Sequence, residues 1–261
     1  MSKTGLITGA ASGLGYEFSN LLARDHYDLV LVDINESNLL KTKQKIEEKY
    51  NIGVETIICD LGKPETASLI YQQIKHRNID ILINNAGFGL FGFFAETNPE
   101  TEESMINVHI LTMTQLTKLI IKGMIRKGSG KILNISSLGA FVPGPLMSVY
   151  YATKAFILSF SEALANEVKG TGVTVTVLCP GVTRTNFQNT TAFHSNTKAS
   201  KMKRFTHDAD KVASYGYNAM KAGKSSAVPG ILNKFIVLLS RLLPRRINAQ
   251  MVRKIQMKIR C

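Results

Sequence analysis

Six short, strongly apolar runs separated by helical patterns constrain this 261-residue chain more than any other feature. They are Thr4–Thr8, Asp28–Val32, Val54–Cys59, Ile79–Ile83, Lys131–Ile135 and Val173–Cys179. The last is notably β-branched, as suits a parallel strand buried on both faces. Between the runs, apolar residues recur at helical spacing. Leu14, Phe18, Leu21 and Leu22 form the first such stripe. Further helices are predicted over Ser37–Tyr50, from Pro64, over the long stretch Glu100–Lys127, and over Asp208–Lys221. The helix after Pro143-Gly144-Pro145 carries Phe156, Ile157, Phe160, Leu164 and Val168 as its stripe. Strands alternating with helices predict an α/β fold, a doubly wound parallel sheet of about seven strands with helices on both faces. Ala227-Val228-Pro229-Gly230 is the expected last, short strand. The length suffices for one large domain and does not require two.

The first strand runs directly into Thr8-Gly9-Ala10-Ala11-Ser12-Gly13-Leu14-Gly15. Glycines at a strand-to-helix junction let the backbone turn sharply and approach a ligand. The helix N-terminus then offers N–H groups and the positive end of a dipole to a pyrophosphate. The second strand ends at Asp33, about 20 residues on, where a carboxylate can accept hydrogen bonds from an adenosine ribose. It would repel a 2′-phosphate, so NAD is favoured and NADP is the alternative. Asp60 and Leu61 close the third strand, and Asn84-Asn85-Ala86-Gly87 closes the fourth, where small and amide residues suit close cofactor approach.

Tyr150 and Lys154 lie four residues apart on a predicted helix and so share a face. A neighbouring ammonium favours phenolate, so the pair predicts a tyrosine of lowered pKa usable as a general acid or base.

Together these motifs resemble the short-chain dehydrogenase/reductase family in its classical form, over residues 3–230. Thr8-Gly9-x3-Gly13-x-Gly15 is similar to the family's cofactor glycine motif, and Asn84-Asn85-Ala86-Gly87 to its central-strand motif. Ser137, thirteen residues before Tyr150, stands where the family has its catalytic serine, with Ser136 as the less well spaced alternative. Pro180-Gly181 is similar to the motif after the sixth strand. The resemblance implies a Rossmann-like domain with Ser137, Tyr150 and Lys154 as catalytic residues. It implies a dinucleotide held by Gly9, Ser12, Gly13, Leu14, Gly15, Asp33, Asp60, Leu61, Asn85, Ala86, Gly87, Tyr150, Lys154, Pro180, Gly181, Thr183 and Thr185. Tyr150 would exchange the proton at the substrate oxygen. Lys154 would lower its pKa and bond the nicotinamide ribose, and Ser137 would stabilise developing charge. One position departs from the family. His109 stands where an asparagine usually completes a proton relay, and it is carried here as a catalytic candidate. The implied activity is hydride transfer between a nicotinamide and a secondary alcohol or its ketone. A catalytically weak dinucleotide sensor at a membrane or partner is the alternative. The family's habit of forming dimers or tetramers implies a homo-oligomer. No metal site is expected.

Phe88-Gly89-Leu90-Phe91-Gly92-Phe93-Phe94 follows the fourth strand and reads either as core under a loop or as the wall of an apolar substrate pocket. A small hydrophobic substrate, fatty-acyl or steroid-like, is expected. Residues 186–222 are read as a substrate-side lid or insertion. The net charge is +13, yet eleven Lys or Arg and no carboxylate fall from Lys211 onward, leaving about +2 for residues 1–210. Residues 231–261 form a separate basic tail. Ile231–Leu243 is densely apolar, Pro244 breaks it, and Ile247, Met251, Ile255 and Ile259 then recur every four residues among Arg253, Lys254, Lys258 and Arg260. That pattern fits a membrane-surface helix or a packed tail. Nucleic acid is disfavoured, since no stacking or recognition motif accompanies the charge. Three scattered cysteines, no apparent signal peptide and no apolar run of the ~18 residues that span a bilayer predict a cytoplasmic protein, peripheral at most.

Overall fold

A computed structural model describes residues 3–184 and 207–260. Thr185 and the basic stretch Lys198, Lys201, Lys203 and Arg204 lie outside the described residues, as does most of the segment read as a lid.

The main sheet is built from β1 (Thr4–Thr8), β2 (Asp28–Asp33), β3 (Val54–Ile58), β4 (Ile79–Asn84), β5 (Gly130–Ile135), β6 (Val173–Leu178) and a short β9 (Ser226–Ala227). Their order is β3-β2-β1-β4-β5-β6-β9, and the strands pair in parallel throughout. This is the Rossmann-like doubly wound sheet that the strand–helix alternation predicts. The order reverses between β1 and β4, which opens a crevice at the carboxyl ends of those strands. Two further short strands, β7 (Thr183–Arg184) and β8 (His207–Asp208), pair with each other.

Helices cover both faces. On one, Phe18 and Leu22 of α1 (Gly13–Arg24), Leu39 and Ile46 of α2 (Glu36–Lys49), and Tyr217 and Met220 of α7 (Ala209–Lys221) join the core beneath Ile7, Leu29, Leu31 and Ile83. On the other, Ile70 and Ile74 of α3 (Thr66–Ile74) and Leu116, Ile120 and Met124 of α5 (Met113–Lys127) pack on Leu6, Val30, Leu82 and Ile132. Each fully buried Leu or Ile there contributes about 1.5–3 kcal/mol of transfer free energy. Successive strand residues point to opposite faces, and helices cover both faces of this sheet. That is why all five residues of β1 are buried.

The stretch Glu100–Lys127, expected as one helix, is three pieces. α4 (Pro99–Ile106) leads into a π-helical turn over Asn107–Thr112, and α5 follows. The turn is held from outside. Asn107 Nδ2 donates to Gly62 O at 3.0 Å, and Thr112 Oγ1 donates to Leu61 O at 2.8 Å. His109 bonds in two further directions, described below. These side-chain bonds select a wider winding that the hydrophobic period does not reveal, and such turns concentrate at functional sites. α6 (Ser148–Glu167) carries Tyr150 and Lys154. The chain closes with α8 (Ile231–Leu242) and α9 (Arg245–Arg260), separated at Pro244.

Candidate active site

The glycine junction sits at the β1–β4 crevice. Gly9 and Gly13 have φ of 66° and 55°, left-handed values that suit glycine. A Cβ on Gly15 would lie 1.9 Å from Gly9 O, backbone that cannot move aside. Asn85 braces the loop. Its Nδ2 donates to Thr8 O and Gly9 O at 3.0 Å, while Thr8 Oγ1 accepts from the Asn85 and Ala86 N–H groups at 3.0 and 3.1 Å. Ser12 is the N-cap of α1 without a side-chain bond to that helix, and Leu14 lies in its first turn. Asp33 ends β2 and is tied to this loop, accepting from Ala11 N–H and Asn35 N–H at 2.9 Å each. Asp60 accepts from Gly62 N–H at 2.8 Å. A tight glycine cradle, an opening helix and a partly exposed carboxylate beside them fit the pyrophosphate and ribose of a dinucleotide.

Ser137, Tyr150 and Lys154 come together beside the end of β5. Ser137 follows Ser136 off that strand and caps a short 3-10 turn, its Oγ accepting from Gly139 N–H at 3.1 Å. The Ser137 and Tyr150 side chains are hydrogen-bonded to each other. Ser136 is spent differently. It is buried and donates to Lys154 O at 2.7 Å, so the geometry favours Ser137 as the serine that faces the phenol. Lys154 is buried at 4% exposure, and its Nζ donates to Ile135 O at 3.0 Å. Burial pulls the Lys154 ammonium down to about 8.

The expected acidification of Tyr150 is not what this geometry gives. Burial pushes the phenol above its usual range, and only the Ser137 bond pulls it back. Lys154 Nζ lies 5.7 Å from the Tyr150 ring centroid and spends a proton on Ile135 O. Desolvation of the phenolate therefore outweighs the cation. Burial thus favours the phenol over the phenolate.

His109 is buried at 1% exposure within the π turn. Its Nε2 accepts from Phe88 N–H at 3.2 Å, which assigns the ring proton to Nδ1. Nδ1–H then donates to Thr153 Oγ1 at 2.8 Å, and Thr153 Oγ1 donates to Tyr150 O at 2.8 Å. The ring stands edge-on to Tyr150, with centroids 6.0 Å apart. Burial, helped by the Lys154 charge, holds His109 neutral, well below the usual imidazole range. A Cβ at Gly87 would meet His109 Nε2 at 2.5 Å, so that glycine makes room for the ring. His109 thus fastens the helix bearing Tyr150 to the loop after β4. Thr153, the link between them, was missed in the sequence although it lies inside Tyr150-x3-Lys154.

Of the remaining expected residues, Leu61 is buried, and Pro180 O accepts from Leu138 N–H at 2.9 Å, joining the loop after β6 to the Ser137 turn. Thr183 Oγ1 donates to Gly181 O at 3.1 Å. The phenylalanine run divides: Phe88 packs toward His109, and Phe94 is exposed at 66%. α9 adds Gln256, which the sequence did not single out. Gln256 is buried and its Nε2 donates to Tyr151 Oη at 3.3 Å, and the Tyr151 and Tyr150 rings are edge-to-face at 6.0 Å. Arg260 lies over the Phe93 ring at 4.5 Å and pairs with Glu96. Among the described residues no His/Cys/Asp/Glu group could hold a metal.

Residues 3–195 match the family model described as short chain dehydrogenase. The chain is 28% identical over 251 residues to a very-long-chain 3-oxoacyl-CoA reductase of Rattus norvegicus, covering 94% of this chain and 77% of that protein. A short-chain dehydrogenase from Sphingobium yanoikuyae in complex with NADPH superposes with a TM-score of 0.82, at 27% identity over 92% of this chain and 93% of that one. A structure from work on 7β-hydroxysteroid dehydrogenase stereoselectivity gives a TM-score of 0.87, at 25% identity over 96% of both chains.

Proposed function

The chain belongs to the short-chain dehydrogenase family, oxidoreductases acting on CH–OH groups with NAD(P), and from that premise we propose that it is an NADH-dependent reductase of long-chain 3-oxoacyl thioesters. The observation that carries the reading is a protonated Tyr150 phenol hydrogen-bonded to Ser137, with the buried Lys154 amine beside its ring.

A nicotinamide, when bound, supplies the hydride to the carbonyl carbon. Ser137 is positioned to donate a hydrogen bond to the ketone oxygen. Tyr150 transfers its proton to that oxygen as negative charge builds, giving the alcohol. Ser137 and the Lys154 ammonium then stabilise the phenolate left behind. Lys154 is held for this by Ile135 O, and His109 and Thr153 act on Tyr150 through the α6 backbone as positioning residues.

NAD is preferred because Asp33 ends β2 and Ile34-Asn35-Glu36-Ser37-Asn38 contains no cation to receive a 2′-phosphate. The substrate class rests on the relatives' names and on Arg241, whose guanidinium stands over the Phe141 ring. A cation beside an apolar ring suits a substrate joining an apolar chain to an anionic carrier.

The test is NADH oxidation by purified protein with 3-oxoacyl-CoA substrates of increasing chain length and with a ketosteroid. We expect kcat/KM to rise with acyl length, and Tyr150→Phe to lose about 10²–10⁴ in kcat while retaining NADH binding. Turnover of the steroid alone would overturn the substrate class. Full activity in Tyr150→Phe would overturn the mechanism.

A further inference from the structure

α8 is turned inside out. Ile231, Leu232, Phe235, Leu238, Leu239 and Leu242 are all exposed, from 40% at Leu239 to 87% at Ile231. They fall on one face at helical spacing, with Ile236 among them. The residue of α8 that is buried is polar: Asn233 is 8% exposed and donates to Pro229 O at 2.7 Å. α9 repeats the inversion. Asn248 and Gln256 are buried, while Ile247, Met251 and Ile255 are exposed. Asn248 Nδ2 donates to Ser240 O at 2.8 Å, fixing the turn between the two helices. Both helices therefore dock through amides and leave leucines and isoleucines in solvent. An exposed apolar face this large marks an interaction site.

We infer that the apolar face of α8, together with the basic residues of α9, docks on the surface of an anionic lipid bilayer. The occupant is selected by charge. Arg245, Arg246, Arg253, Lys254 and Lys258 are exposed around the stripe, and no carboxylate occurs from Lys211 to the end of the chain. A second copy meeting this face across a twofold axis would bring like charges together. An anionic headgroup layer over an acyl interior answers both the cations and the leucines. No described helix is long and apolar enough to cross a membrane, so the docking is peripheral. The buried side of α9 reaches the candidate site, where Gln256 bonds Tyr151, next to Tyr150. The inference does not depend on the reductase reading and is read without turnover.

The experiment is co-sedimentation of the full chain with vesicles of phosphatidylcholine alone and of phosphatidylcholine with phosphatidylglycerol at about 3:1. We expect at least about tenfold tighter association with the anionic vesicles, weakened by salt. The combined variant Phe235→Ser, Leu238→Ser, Leu242→Ser should lose about tenfold or more on anionic vesicles. Arg245→Glu with Arg246→Glu should lose the preference for anionic over neutral lipid. All five positions are exposed, and unchanged NADH titration and thermal melting in both variants would show that the fold is intact. Absence of binding to anionic vesicles, equal binding to neutral ones, or binding indifferent to the serine variant would overturn the inference. So would a lipid-free dimer that the serine variant converts to monomer by light scattering, which would assign the face to a second copy.

Discussion

Lys154 costs the fold stability wherever it is charged. Its pKa is drawn from 10.5 down to about 8 by burial, so between those values the unfolded chain binds more protons than the folded one. Stability from this group therefore rises with pH across that window, and the penalty is fully present below it. Relative to Lys154→Met, the wild type should gain about 2 kcal/mol in urea unfolding between about pH 7.5 and about pH 9.5. The same variant should be inactive. His109 acts with the same sign at lower pH. Its folded pKa lies well below 6.5, so folding requires the neutral ring, and stability falls as pH drops below that value. His109→Gln should flatten this acid loss, read as the difference in urea midpoint between about pH 7.5 and about pH 5.5. The spacing of Tyr150, Lys154 and Ser137 was legible in the sequence, because motif order and helical period fix which residues share a face. The direction of the Tyr150 shift was not. It depends on how much water the phenol loses and on where Lys154 Nζ points, and spacing carries neither.

At the scale of elements, the glycine junction and the π turn set the site's shape. Gly15→Ala should abolish dinucleotide binding by fluorescence titration, because its Cβ would lie 1.9 Å from Gly9 O and the cradle must open to admit it. Gly87→Ala is a gentler probe. Its methyl meets the His109 ring, and we expect a loss of about 1–3 kcal/mol in unfolding free energy with reduced kcat. The strands were legible because burial on both faces favours apolar runs, and the ends of the first six came out within about a residue, while the last stops at Ala227 rather than Gly230. The π turn was not, because Met105–Met113 has an apolar pattern compatible with plain α-helix. What widens it is a set of bonds to Gly62, Leu61, Phe88 and Thr153, all distant in sequence. The facing of α8 was hidden for a related reason. Its composition reads as core, yet the bonds of Asn233 and Asn248 decide which side meets the domain.

For the molecule as a whole, residues beyond Gly230 are built into the domain through a few buried amides. A chain ending at Gly230 would lose Asn233, Asn248 and Gln256, which lie at 8%, 5% and 7% exposure. It should melt several degrees below the full chain by differential scanning fluorimetry, as loss of about 1–2 kcal/mol implies at this size. An ordinary solvated tail would leave the midpoint unchanged. The inverted polarity of α8 also has a practical corollary at the bench. Because its leucines support nothing beneath them, replacing them with glutamates should improve behaviour in aqueous buffer without softening the protein. Left as they are, they should make the purified enzyme cling to phenyl resin and to plastic.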